Sequence, residues 1–457
     1  MNVTTRLRLL AKKLSAAEIR FDAATCQAHA GDKWYAAKIP DAVALPKDAR
    51  SVSRILRFAS QHKIPVTARG AGYGYVGGCV PERGGLVLSL ARMNKIIEVH
   101  PWDFVAVVQP AVITQRLQER VEKRGLYYPP DPASRANCSI GGNIATNAGG
   151  PRSLKYGVTA DYVLGLEVVL PDGSITRLGG RTHKNKTGFN LTQLFVGSEG
   201  MLGIVTEATL KLIPLPPHRV CLSVGFKTVK DMTGAVGAIF AEGFLPSALE
   251  VADGYTVAAA MKRTGAAVFQ GCGAHMFVEL DGHAASARLE MDELQRVLLR
   301  FHPKAIERAD GHAECERLWQ LRREFSYALR DTGLTKMNED IVVPRGQIEK
   351  LFEFSARLHK KHGLAIASFG HAGDGNIHVN IMLDESVPAN RRKRDAALDD
   401  LFEGVVRMGG VITGEHGIGL AKLPWWKMAT SPALRKLHSD IKRAVDPAGI
   451  LNPGKFV

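Results

Sequence analysis

Three observations predict an α+β protein of more than one domain. The 457 residues exceed the roughly 100–200 of a single domain. Apolar positions alternate between stretches of period near 3.6 and stretches of period 2. The 46 glycines, about 10% of the chain against an average near 7%, gather in five places: 69–85, 141–150, 197–203, 370–375 and 409–419.

Taken in order, Ser51 opens a helical stretch with apolar Val52, Ile55, Leu56, Phe58 and Ala59, running to Lys63 and leading into a strand over 64–67. A strand at 104–108, a helix at 113–123 ended by Gly125, and a strand at 165–170 entering the turn Pro171-Asp172-Gly173 follow. The strand 204–213 stops at Pro214-Leu215-Pro216-Pro217, because three prolines in four residues cannot continue a sheet ladder. A first domain, 1–215, is expected to end there. Strand 219–226, helix 229–242, strand 275–280 and helix 285–300 then predict an α+β domain over 216–425, with an antiparallel sheet under helices. A helix at 434–445 and the turns of 446–454 make a C-terminal segment, 426–457, expected to return to the first domain.

Composition narrows the function classes. No apolar run approaches the ~18–20 residues of a bilayer-spanning helix, and a hydrophobic content of 45% is that of ordinary globular domains; an integral membrane protein and a disordered chain are excluded. The formal charge of +15 would draw anionic substrates or an anionic bilayer surface toward the protein. It comes with no nucleic-acid-binding motif and no interleaved aromatic platform, so no nucleic-acid partner is expected. Six widely spaced cysteines, none in a C-x-x-C pair, read as reduced thiols and do not supply an iron–sulfur cluster. Residues 1–20 lack the apolar core of a secretory signal, and Glu18 disfavours an organellar presequence. A cytoplasmic location is expected, with peripheral attachment to the inner face of the membrane as a further option.

Arg69-Gly70-Ala71-Gly72-Tyr73-Gly74 follows a predicted strand and offers backbone N–H groups to an anion. It lacks the spacing and acidic residue of a nicotinamide-type fingerprint, and alone it reads equally well as a tight turn. Ser139 to Gly150 is a second element without any large side chain, through which backbone can approach a ligand closely. Gly197-Ser198-Glu199-Gly200, with Gly203 beyond, is a third. Three such elements within 140 residues suit a large phosphate-bearing cofactor.

Arg69-Gly70-x-Gly72, Gly77-Gly78, Asp131-Pro132-Ala133-Ser134, Gly141-Gly142-Asn143, Asn147-Ala148-Gly149-Gly150, Tyr156-Gly157, Gly197-Ser198-Glu199-Gly200 and Gly203-Ile204 together resemble the vanillyl-alcohol-oxidase-type (PCMH-type) FAD domain. The second half resembles one branch, the D-2-hydroxyacid dehydrogenases, which comprise D-lactate dehydrogenase, D-2-hydroxyglutarate dehydrogenase and the FAD subunit of glycolate oxidase. The likeness runs from Pro40 to Phe456. It implies FAD held between two α+β subdomains, with pyrophosphate on the amides of Gly70, Ala71, Gly72, Tyr73 and Gly74. Gly141, Gly142 and Ala148 would pass close to the flavin and diphosphate, and Ile204 would lie near the adenine. Arg69, Pro132, Ser134, Asn143, Asn147, Gly149, Gly200 and Asn452 complete the implied cofactor set. Members with covalent flavin carry a linking His in the first glycine loop, where this chain has Tyr73 and Tyr75; non-covalent FAD is the expectation.

His371 and His378 stand seven residues apart across Gly373-Asp374-Gly375. In a straight strand an odd separation points them to opposite faces, so convergence requires a bend at those glycines. With Glu415 they make two imidazoles and one carboxylate, a set suited to a divalent ion with open positions. The resemblance implies that these three hold zinc, manganese or iron, that His416 is the general base, and that Asn380 orients the substrate oxygens. It also implies Arg322, in Trp319-Gln320-Leu321-Arg322, as the clamp for a substrate carboxylate, with Lys336 a second candidate. The implied reaction oxidises a small 2-hydroxy acid to the 2-oxo acid by hydride transfer to flavin N5, electrons passing to a quinone, a cytochrome or an electron-transfer flavoprotein. A homodimer is expected. The alternatives are a glycolate oxidase subunit that needs an iron–sulfur partner for electron exit, and a transferase resembling the ether-lipid synthase, alkyldihydroxyacetonephosphate synthase.

Overall fold

The computed structural model describes residues 2–15, 17–265 and 267–457. The chain divides into two compact units. The first comprises residues up to Gly149, Val158–Leu215 and Glu415–Val457; the second comprises Gly150–Gly157 and Pro216–Gly414. The chain thus crosses at Leu215/Pro216, inside the proline run, and returns at Glu415, where the sequence set the return at 426.

Two sheets build the first unit. Strands β1 (Ile19–Arg20), β2 (Ala42–Ala44), β3 (Val66–Arg69) and β4 (Leu86–Ser89) lie in the order β1-β2-β4-β3, with β4 parallel to both β2 and β3. Helix Ala49–Gln61 starts two residues before Ser51, because the Asp48 side chain caps it by accepting the Ser51 amide at 2.8 Å. The helix buries Val52, Ile55, Leu56 and Ala59 completely against Ala42, Val66, Leu86 and Leu88. At about 1.5–3 kcal/mol for each large aliphatic side chain, that face outweighs any propensity term. Strands β5 (Ile96–His100), β6 (Val105–Val108), β8 (Val163–Val169), β9 (Ile175–Gly179) and β10 (Ile204–Lys211) make an antiparallel sheet in the order β5-β6-β10-β8-β9. A minor ribbon pairs β7 (Leu126–Tyr127) with β11 (Ile213–Pro214), so the strand expected over 204–213 is two. The second glycine element is largely a short helix, Ile140–Thr146; the Ser139 hydroxyl caps it and Asn147 ends it in the left-handed conformation (φ 52°).

The second unit is one seven-stranded, wholly antiparallel sheet, as the sequence predicts. Its strands are β12 (His218–Phe226), β13 (Ala248–Asp253), β14 (Ala274–Gly282), β15 (Ala305–Asp310), β16 (Thr335–Val342), β17 (Ala365–His371) and β18 (Asn376–Leu383), in the order β15-β12-β14-β13-β17-β18-β16. Residues 150–157 belong here because of their charges. Arg152 meets the buried carboxylate of Glu279 at 2.8 Å, while Lys155 and Tyr156 reach Asp281 at 2.5 and 2.7 Å. Burial pushes the Glu279 carboxyl up, but Arg152 and Arg219 outweigh it and hold the group below the usual carboxylate range.

Candidate active site

In the first unit, the glycine elements lie against one another. Ser139 Oγ accepts the Ala71 amide at 3.2 Å and the Gly142 amide at 3.4 Å, joining the first element to the second. A Cβ on Gly70 would sit 2.6 Å from that oxygen, and one on Gly141 2.6 Å from Pro110; these two glycines are required by protein packing. Gly142 and Gly78 differ. A Cβ there would meet only Ser139 Oγ at 3.4 Å, or nothing within 4 Å, so the missing side chain leaves room for another molecule.

Asn452, buried and in the left-handed conformation (φ 45°), donates from Nδ2 to the carbonyls of Gly78 (3.1 Å) and Glu199 (2.8 Å). Its Oδ1 is buried with no hydrogen-bond partner. An orphaned acceptor beside open glycines fits a cofactor that brings a donor. Arg69 donates to the Gly31 carbonyl, Asn143 to Thr114 Oγ1 at 2.8 Å, and Asn147 Oδ1 accepts the Ala160 amide at 2.8 Å. The Pro132 and Ser134 carbonyls close the turn before helix Ile140–Thr146, accepting the Arg135 and Cys138 amides at 2.8 Å. Tyr73 and Gly74 are half-buried, Ala148 receives support from the Asn143 carbonyl at 2.9 Å, and Gly149 is buried. Gly200 turns at φ +71°. Ile204 is committed to the hydrophobic core, 1% exposed.

In the second unit, strand register decides which side chains share a face. His371 pairs with Asn376, His378 with both Phe369 and Asp340, and Asn380 with both Ala367 and Asn338. Lys336, Asn338 and Asp340 alternate along β16 as His378 and Asn380 do along β18. One face therefore carries Lys336, Asn338, Asp340, His371, His378 and Asn380. The bend at 373–375 is a hairpin in which Gly375 takes φ +85°, and it brings the two rings to 5.7 Å between centroids at 80°.

Glu415 is bonded directly to Gly414, the last residue of this unit, and Gly414 is anchored to the same face: its amide donates to Asp340 Oδ2 at 2.9 Å, as does the Thr413 hydroxyl at 3.1 Å. The ligand atoms of His371, His378 and Glu415 all lie within 4.8 Å of one another, so the three can hold one ion. Nearby, Asn338 Oδ1 and Asn380 Oδ1 are buried acceptors with no partner. Such acceptors suit a ligand with hydroxyl or amine protons.

The expected cations behave differently from each other. Arg322, nearly buried, gives its Nε and Nη2 to Glu250 Oε2 at 2.6 and 2.5 Å and stacks over Phe369 at 5.1 Å. Lys336 instead bonds the Ser326 hydroxyl at 2.6 Å; burial, with Arg330 adding to it, pushes its ammonium down to about 7. His416 lies 5.4 Å from the Tyr75 ring, centroid to centroid. Its loop is clamped by Glu199, whose two oxygens accept the Ile418 and Gly419 amides at 2.7 and 2.9 Å.

Sequence reasoning missed Glu250, Asp340 and Glu199 as supporting groups. A signal existed for Glu250: a charge in the apolar run Ala248-Leu249-Glu250-Val251-Ala252 is costly to bury without a partner.

The chain is also similar over most of its length to known proteins. The family described as FAD linked oxidases, C-terminal domain, matches residues 215–456, and the FAD binding domain family matches 40–179. "Glycolate oxidase subunit GlcD" of Bacillus subtilis is 38% identical over 92% of this chain and 89% of its own length. "D-lactate dehydrogenase" of Anaerostipes hadrus is 34% identical over 91% and 89%. Among solved structures, p-cresol methylhydroxylase with substrate bound superposes with a TM-score of 0.82 at 20% identity, covering 99% of this chain and 96% of that one. That likeness concerns the fold alone.

Proposed function

Because the chain belongs to the FAD-linked oxidase family, we propose that it oxidises a D-2-hydroxy acid of the D-lactate, glycolate or D-2-hydroxyglutarate class to the 2-oxo acid, with FAD, a divalent ion and a non-NAD electron acceptor. The observation that carries the reading is the convergence of His371, His378 and Glu415 beside the partnerless Asn380 acceptor. When bound, the flavin supplies a two-electron sink and the divalent ion the Lewis acidity that lowers the substrate hydroxyl pKa.

The protein's own groups do the rest. Lys336, bonded to a hydroxyl rather than to a carboxylate, takes the substrate carboxylate in place of Arg322, whose guanidinium is already paired with Glu250. Asn380 Oδ1 accepts a hydrogen bond from the hydroxyl as the substrate docks and so orients that oxygen, before the hydroxyl turns its proton to His416. His416, the residue after Glu415, removes the proton as the Cα hydrogen leaves as hydride. Anaerobic mixing with a panel of 2-hydroxy acids, with and without chelator, tests this: at least one D-acid should bleach the flavin spectrum, and chelator should suppress it. A flavin unmoved by every acid would refute the reading.

A second reading is favoured by the name of the Bacillus relative, a subunit. The chain would then be the FAD-bearing member of a multi-subunit oxidase, with electrons leaving through an iron–sulfur partner. Flavin reduction by substrate without turnover by small acceptors would support it.

A further inference from the structure

We propose that Glu250 is a positioning residue for the divalent-ion site, fixing His371 through Nδ1 so that Nε2 is presented to the ion; this deepens the metal reading above and rests on it.

Glu250 stands opposite His371 in the register of β13 and β17. The residue is completely buried, and its Oε1 lies 2.7 Å from His371 Nδ1. Its other oxygen is engaged by Arg322. The carboxylate therefore divides its work: one oxygen is neutralised by the guanidinium, and the other accepts the imidazole N–H. A ring that donates from Nδ1 carries its lone pair on Nε2, the atom that can ligate a cation, and its basicity rises with the strength of that hydrogen bond. An ion pair serving packing alone would need only Arg322. The paired His371 and the rotation of its ring toward His378, 80° between planes, require the second oxygen as well. A carboxylate buried without both partners would be strongly destabilising, so the two contacts are coupled.

The test uses the FAD-loaded full-length protein, stripped of metal by chelator and titrated with Co²⁺. The d–d absorption band and competition with a chromophoric chelator report affinity and ligand geometry without any turnover. Glu250→Gln should retain FAD and bind Co²⁺ roughly 10–100-fold more weakly, with an altered d–d band. Because that variant strands the Arg322 charge, the double variant Glu250→Gln/Arg322→Met is measured beside it, and the loss should persist there. Affinity within about threefold of the parent in Glu250→Gln, or restored to that level in the double variant, would overturn the proposal and leave the metal reading standing. A parent protein that binds no Co²⁺ would instead overturn the metal reading and this inference with it.

Discussion

Glu199 accepts the amide of Gly419, 220 residues away, at 2.9 Å, and with its other oxygen the amide of Ile418 at 2.7 Å. A single buried carboxylate thus fixes the loop that carries His416. Burial pushes the Glu199 carboxyl up, and the two amides pull against it without restoring the ordinary value. Glu199→Ala should strand both amides, at a cost of about 1–3 kcal/mol, read as a lowered Tm. Substrate-driven flavin reduction should slow as well; an unchanged melt and rate would contradict the clamp.

His416 itself offers a sharper separation of binding from chemistry. Replacing it by Gln is expected to lower the rate of flavin reduction by about 10²–10⁴-fold, with FAD content unchanged. Stopped-flow reduction under anaerobic conditions makes the comparison, and a rate near the parental one would remove His416 from the role of base.

His378→Ala deletes one of the three converging ligands. The expected outcome is loss of bound divalent ion by elemental analysis and loss of substrate-driven reduction, while the flavin spectrum of the resting protein persists. Retained reduction at the parental rate would be the contrary result.

Lys336 makes a pH prediction. Its pKa of about 7 lies below the unfolded value near 10.5, so the unfolded chain binds more protons between those limits and stability rises with pH across that window. The penalty is fully present below about pH 7 and fades toward pH 10.5. The melting temperature of Lys336→Met should therefore rise less between pH 7 and 9 than the parent's. In the same variant, KM for the hydroxy acid should increase and lose its dependence on pH near 7.

Gly414→Ala tests the anchor of Glu415. The added Cβ would lie 2.3 Å from Asn376 Nδ2 and 2.8 Å from Asp340 Oδ1, so the loop at Gly414 must move. Weakened metal binding with FAD retained is expected, at a cost of about 1–3 kcal/mol in stability.

The parts legible in the sequence were those written in short motifs. His371 and His378 could be matched because Gly373-Asp374-Gly375 lies between them, and the need for a bend followed from strand periodicity alone. Proline density marked the Leu215/Pro216 crossing for the same local reason. Glu250 was illegible as a partner of His371, since their contact spans 121 residues and only sheet order makes it. Arg322 shows the converse: Trp319-Gln320-Leu321-Arg322 could be matched to a family element, yet its engagement with Glu250 depends on a strand 72 residues earlier. The second glycine element carries the short helix Ile140–Thr146 although Gly141 and Gly142 have weak helix propensity, because the Ser139 hydroxyl caps it.

The strap at 150–157 has a practical corollary for anyone dissecting this protein. An expression fragment that begins at the proline run would carry Glu279 but not Arg152, and so would inherit a buried anion stripped of one of its counterions. The second unit, cut at the proline run alone, therefore lacks part of its own charge pairing, and a fragment of it must bring residues 150–157 along to be complete.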